Sequence, residues 1–376
     1  MFRKPTAADV PGPDASISDA APCQKALRLR VGRDLIIPVR SAVLAEFQRQ
    51  AALPGFRKGK APAGLVERQY AKDIQDETLH RVTRQAFEQV AERHQLKPVG
   101  PFEVRTMQFS EADGLTLEAT VEVEPSFALG RYKGIPLARA PVGVSPQDLE
   151  RALASLQESM AQLVPAKTGE GKERQVPPLD EELAKDLGYQ SVAVLKAHVA
   201  AKWLEQQRAA QAQGLEAALC DELLARHPFE VPPRLVAHQT ERLTRDFRAR
   251  LLLSGVPEEE LDGRVTQFAE QLRTSAARHV KLGFILERIA AQESVTVTQD
   301  ELVKRLWQLA QRWKKDPAQV RQVFDAQGLW PSVVSAIRQE KTITFLVSVA
   351  KITETVPEPG TPPAAGSQAP AHGRDA

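Results

Sequence analysis

Between residues 26 and 37, Leu27, Leu29 and Val31 take alternate positions with Arg28 and Arg30 between them, which predicts a strand. From about Ser41 the period changes. Val43, Leu44, Phe47 and Ala51 share one face of a helix that ends at Leu53-Pro54-Gly55. A short helix around 65–70 and a longer one over 74–94 follow, the second with Ile74, Thr78, Val82, Ala86 and Val90 on its buried side. Residues 102–109 and 115–123 then predict two strands paired across Asp113-Gly114. In the second, Leu115, Leu117, Ala119, Val121 and Val123 alternate with Thr116, Glu118, Thr120 and Glu122, giving one buried face and one wet one.

Beyond about residue 142 the pattern is helical. Ser145-Pro146 caps a helix whose Leu149, Leu153, Leu156, Met160 and Leu163 form a narrow apolar seam that needs a partner helix. Residues 164–178 break the pattern with prolines, glycines and charges. Helices are then expected at 191–226, 233–253, 258–291, 299–314, 317–326 and 330–350, with starts and stops marked by Pro232-Pro233, Ser254-Gly255, a Thr298/Glu301 capping box, Asp316-Pro317 and Gly328. The fold class is therefore α+β. An N-terminal α/β domain spans 23–141, a linking helix and short linker 142–178, and an elongated all-α domain with helical arms 179–355. The Pro-, Asp- and Ser-rich residues 1–22 and the Pro-rich residues 356–376 are expected to be a disordered extension and tail.

Composition narrows this. A length of 376 residues accommodates about two or three domains. Only 5% of residues are aromatic, which suits Ala/Leu helix packing. A net charge of +2 provides no global field for nucleic acid, so any such contact must be a local patch. Two cysteines far apart exclude a disulfide framework and a Cys-based zinc site. The first 22 residues lack the apolar region of a signal peptide, and no apolar run approaches the roughly 18 residues of a membrane span. The expectation is a soluble, cytoplasmic protein without membrane contact.

The catalytic inventory is thin. None of the seven histidines sits at a metal-binding spacing, and no Walker loop, G-x-G-x-x-G or G-x-S-x-G occurs, so no cofactor or metal is expected. Cys220, between Leu219 and Leu223, reads as a buried structural residue. The acidic runs 180–182 and 258–260 fall in first helical turns, where they complement the helix dipole. One segment stands apart. Gly55, Phe56, Arg57, Lys58, Gly59 and Lys60 combine three cations and an aromatic ring with two glycines that can shape a projecting loop. Such cations neutralise phosphates, and the ring can pack on a base or in an apolar pocket.

Residues 53–62 read Leu-Pro-Gly-Phe-Arg-Lys-Gly-Lys-Ala-Pro, after a strand and a helix and before Val66-Glu67-Arg68-Gln69-Tyr70. This order resembles the signature of the trigger factor family, bacterial chaperones that dock at the exit of the ribosomal tunnel. The resemblance continues through 118–125, 134–137, 229–232 and 278–286, and covers about 24–353. It implies that Phe56, Arg57 and Lys58 dock on the large ribosomal subunit, on protein and rRNA, with Gly55 and Gly59 shaping the loop. It also implies a helical cradle for nascent or unfolded polypeptides, with no ATP or other cofactor, and a homodimer off the ribosome. Trp203, Trp307, Trp313 and Trp330 lie in the helical half and are expected to pack in its core. Typical members insert a prolyl isomerase domain of the FKBP type where this chain has 164–178. That stretch is far shorter than the roughly 50 residues a domain needs. The leading reading is an ATP-independent chaperone without isomerase activity. The alternatives are a working peptidyl-prolyl isomerase and a holdase independent of the ribosome.

Overall fold

The computed structural model describes residues 12–110, 113–165 and 172–354. The expected tail at 356–376 and the first eleven residues of the expected extension lie outside them. The chain forms two compact units, each drawn from two stretches: 1–128 with 228–284, and 129–227 with 285–376.

The first unit opens with a hairpin of β1 (Asp14–Ala21) and β2 (Gln24–Val31). Here the expectation of disorder through residue 22 is corrected. Ala15 and Ile17 alternate with Asp14, Ser16 and Ser18 and pack on the core. A sheet-edge strand with one solvated face has nearly the composition of a disordered tail, which hid it. Next come α1 (Arg33–Gln50), α2 (Ala63–Gln69) and α3 (Ala71–Arg93). α1 begins eight residues earlier than its pattern suggests and carries Pro38 inside it. Proline in a helix interior costs about 3 kcal/mol. Burial of Ile36 against the sheet, with Val39 packed beside it, offsets that.

β3 (Glu103–Ser110) and β4 (Gly114–Glu122) complete an antiparallel sheet of order β1-β2-β4-β3. Leu27, Leu29 and Val31 lie opposite Ala119, Leu117 and Leu115. This apolar face is covered by Leu79, Val82, Ala86, Phe87 and Val90 of α3 and by Ile36 of α1. The opposite face is polar, and its Arg28 pairs with Glu118 across the strands.

In the second unit, β5 (Pro136–Arg139) precedes α4 (Pro146–Ser159). α4 starts with the capping box Ser145/Asp148, in which the Asp148 backbone N–H donates to Ser145 Oγ at 3.1 Å. The seam expected to reach Leu163 stops at Ser159, Leu153 is its buried member, and α4 packs on α6. Where a bare linker was expected, β6 (Gln162–Pro165) and β7 (Lys172–Gln175) pair antiparallel. Residues 166–171 of that linker lie outside the described residues. α5 (Glu181–Asp186) and α6 (Val192–Arg226) follow, capped by Asp180 and Ser191.

The chain then contributes α7 (Pro233–Leu253) to the first unit and continues through α8 (Glu258–Gln292). Pro232 offers α7 no side-chain cap. The buried carboxylate of Glu122 on β4 substitutes for it, accepting the Arg234 backbone N–H at 2.8 Å. Arg234 also pairs with Glu103 at 2.6 Å. Phe127 stacks on Phe229 with centroids 4.1 Å apart, and the Lys281 ammonium lies 5.1 Å from the Phe229 ring centroid. Between α7 and α8 Phe247 meets Phe268 edge-on, and Arg248 pairs with Asp262.

The second unit ends with α9 (Gln299–Trp313), α10 (Pro317–Gln327), α11 (Trp330–Ser348) and β8 (Lys351–Glu354). β8 lies parallel to β5. Leu195, Leu219, Leu223, Ile285, Leu286, Ile289 and Leu346 are buried in this unit. The tryptophans depart from expectation. Trp307 and Trp313 are 55% and 47% exposed, although Trp313 stacks on Phe324. Trp203 and Trp330 are half-buried. α9 has more apolar residues than its single covered face accommodates, and indole edges tolerate water.

Candidate functional site

α1 stops at Ala51, whose backbone turns extended while its N–H still donates to Phe47 O. Pro54 disfavours helix at the residue before it, so the chain must leave the helix here. Two consecutive turns follow. The Phe56 N–H donates to Leu53 O at 3.1 Å over Pro54-Gly55, and the Lys60 N–H donates to Arg57 O at 2.9 Å over Lys58-Gly59. In each, glycine holds the third position, with φ of 84° at Gly55 and 79° at Gly59. That is the backbone demand of a type II turn, which other residues meet poorly.

The double turn is anchored at its base. The Gly59 N–H donates to Ala51 O at 3.2 Å, and Gln48 Nε2 donates to Ala61 O at 2.8 Å. Ala51, Ala61 and Val66 are buried together, with Leu44, Phe47, Leu53 and Tyr70 packed around them. A side chain at Gly59 would meet Arg49 O at 3.0 Å, whereas Gly55 faces open space. The small residues at 51, 59 and 61 thus let the loop lie against the end of α1.

What projects is what the sequence singled out. Phe56 is 43% exposed, and Arg57, Lys58 and Lys60 are exposed. Among the described residues, none forms an ion pair with Arg57, Lys58 or Lys60. The structure therefore brings Gly55, Phe56, Arg57, Lys58, Gly59 and Lys60 into one fixed projection. Such a surface can bind anionic groups without first breaking internal pairs, with an aromatic ring beside the charges. Sequence reasoning missed the supporting layer of Gln48, Ala51 and Ala61. Its one signal was the retention of small residues on both sides of the loop.

The other candidates stay bland. Among the described residues no group of three or more His, Cys, Asp or Glu is placed to hold a metal. Burial and the carboxylates of Glu122 and Glu230 push the Cys23 thiol up, away from the reactive thiolate. Cys220 is half-buried. Among the described residues no helix is long and apolar enough to cross a membrane.

Two family models match the chain. One described as "Bacterial trigger factor protein (TF)" covers residues 14–156, and one described as "Bacterial trigger factor protein (TF) C-terminus" covers 191–348. The first begins at β1. The trigger factor of Carboxydothermus hydrogenoformans is 24% identical over 391 residues, spanning 81% of this chain and 91% of its own. That of Anaeromyxobacter dehalogenans is 24% identical over 425 residues, spanning 90% of this chain and 99% of its own. Since 425 aligned positions exceed the 376 residues here, that relative carries residues without a counterpart in this chain. Neither matched model is of a prolyl isomerase domain. A solved structure of the trigger factor chaperone aligns over 89% of this chain and 99% of its own, at 17% identity and a TM-score of 0.49.

Proposed function

The chain belongs to the bacterial trigger factor family of chaperones, and on that premise we propose that it docks on the large ribosomal subunit at the tunnel exit and holds emerging polypeptides open for folding. The carrying observation is the anchored double turn, which presents Phe56, Arg57, Lys58 and Lys60 on positive-φ glycines with their charges unspent. In this reading the domain over 23–141 docks and the helical residues over 179–355 cover apolar client segments in the cytoplasm. Binding is reversible and independent of ATP, in keeping with a sequence that has no Walker loop.

Isomerase activity is not part of this reading. The join between α4 and α5 holds two strands of four residues each, β6 and β7, where a catalytic domain would need about 50 residues. Turnover on a proline-containing peptide is expected at the spontaneous rate, and catalysis at the level of an isolated FKBP domain overturns that part.

Co-sedimentation with ribosomes tests the docking. Replacing Phe56, Arg57 and Lys58 together by alanine is expected to abolish it while thermal unfolding stays unchanged. Affinity should fall steeply with salt if phosphates are among the contacts. Undiminished co-sedimentation of the triple variant makes another surface the anchor and leaves a holdase whose loop has no ribosomal role.

A further inference from the structure

β3 is the last strand of its sheet, and among the described residues its backbone hydrogen bonds run only to β4. Between Val104 and Phe109 its outer row of N–H and C=O groups therefore has no backbone partner among the described residues. Soluble proteins ordinarily blunt such an edge with charge, proline, a bulge or a covering element. β3 has one bulge, at Arg105, and past it the run 106–110 is regular. Val104 and Met107 lie on the same face as Ala119 and Leu117, yet they are 39% and 49% exposed while those partners are buried. The apolar face of the sheet thus continues past its helical cover.

The strip leads into a cleft. Phe109 shares the face of Met107, about 7 Å further along the strand. Phe109 and Ser110 line a cavity of about 220 Å³ with Ile36, Ile37 and Ile74. Ile37 is 55% exposed. Arg33 stands on the wall of the cleft at the start of α1, where Gly32 provides no side-chain cap for the first N–H groups. The carboxylate on the wall, Glu67, is already paired with Arg40 at 2.9 Å, and Asp34 is not on the wall. Among the described residues neither Arg33 nor Arg105 forms an ion pair. An apolar row beside a strand edge that has no backbone partner among the described residues from 104 to 109, with an arginine outside any ion pair at each end, is complementary to an extended chain of alternating apolar residues that carries an acid.

We propose that β3 is a docking strand for an extended polypeptide segment. The segment adds a fifth strand along residues 106–109 and lays alternate apolar side chains over Met107 and Phe109 and into the cleft. It brings an Asp or Glu side chain to Arg33. Backbone pairing supplies affinity for many sequences, and the pocket and the arginine supply preference. The site lies at the opposite end of α1 from the docking loop, and the 18 residues of α1 span about 27 Å. It does not depend on ribosome binding.

The test uses the full chain without ribosomes. The probe is a fluorescein-labelled peptide of eight residues alternating valine and threonine, with one glutamate near its amidated end. Anisotropy should report binding, and hydrogen exchange should slow across 103–110. Met107→Glu is expected to weaken binding about tenfold or more, close to the 1.4 kcal/mol that a buried apolar contact supplies. Its melting temperature should be unchanged, since Met107 is exposed. Arg33→Glu should weaken the glutamate peptide about fivefold or more, by the worth of a charge-assisted contact, and leave the glutamine version unaffected. Methylating alternate backbone nitrogens of the peptide should abolish binding. Absence of binding, equal binding to Met107→Glu, equal binding of the methylated peptide, or binding without protection at 103–110 overturns the proposal. So does protection that rises with protein concentration alone and tracks a dimer in sedimentation, since the edge then belongs to a second copy.

Discussion

Helices α3 and α7 are close in length, 23 and 21 residues, yet α3 buries nine of its residues and α7 none. α3 lies across the apolar face of the sheet, with Ile74, Val82, Ala86 and Val90 each at 2% exposure or less. α7 is held by discrete contacts: the Glu122 cap, the Arg234–Glu103 pair, and Phe247 against Phe268. At its far end Leu252 and Leu253 are 52% and 89% exposed. The α/β body buries its apolar surface, and α7 leaves apolar surface exposed. The proposed function needs both, because a loop that docks must be fixed while a surface for clients must not be satisfied by the protein itself.

Damage to the α/β body should have the greatest consequence. Leu117→Ala, on the buried face of β4, should cost about 2–5 kcal/mol in urea unfolding. A loss under about 1 kcal/mol would mean that the sheet core does not carry the fold. Gly59→Ala comes next. It places a side chain at positive φ, worth about 1–2 kcal/mol, and against Arg49 O as well. Gly55→Ala shares the first cost but not the second, so it should be the milder of the two by the same assay. Glu122→Ala should cost about 1 kcal/mol, the worth of a helix cap. Hydrogen exchange should then quicken at the start of α7 and not at α3.

A smaller effect is set by pH in the second unit. Lys133 and the Tyr132 hydroxyl hold the Glu293 carboxyl below its ordinary value of 4.5. The charged form is therefore favoured by folding. Its contribution is present above pH 4.5 and lost as pH falls below it, so Glu293→Gln should flatten that part of the acid-unfolding curve. The least change is expected at the exposed end of α7. Leu253→Ser should change stability by no more than about 0.5 kcal/mol while reducing suppression of client aggregation.

Much of this was legible beforehand, for identifiable reasons. The helices from α6 to α11 announced themselves through Ser191, the Thr298/Glu301 box, Asp316 and Gly328, each of which caps or closes a helix. The loop at 53–62 was legible because its turns need glycine in fixed places. What escaped were features set by distant partners. β1 carries too little apolar content to declare itself. β5 and β8 are four residues each and become strands by finding one another. The cap of α7 comes from Glu122, 112 residues away. Trp307 and Trp313 are exposed against expectation, since hydrophobic type alone does not reveal whether a second layer exists to cover them.

The pairing of β5 with β8 has a consequence for how the protein itself matures. Arg139 and Glu354, joined across that ladder, are 215 residues apart in sequence. Parallel pairing at such separation is slow, since a large loop must close before any contact rewards it. The sheet of β1 to β4 needs only residues 14–122 and can form during synthesis. The second unit must wait until residue 354 has been made. For much of its own synthesis this chain is thus a half-folded polypeptide with one sheet formed, in need of the kind of protection it is proposed to give others.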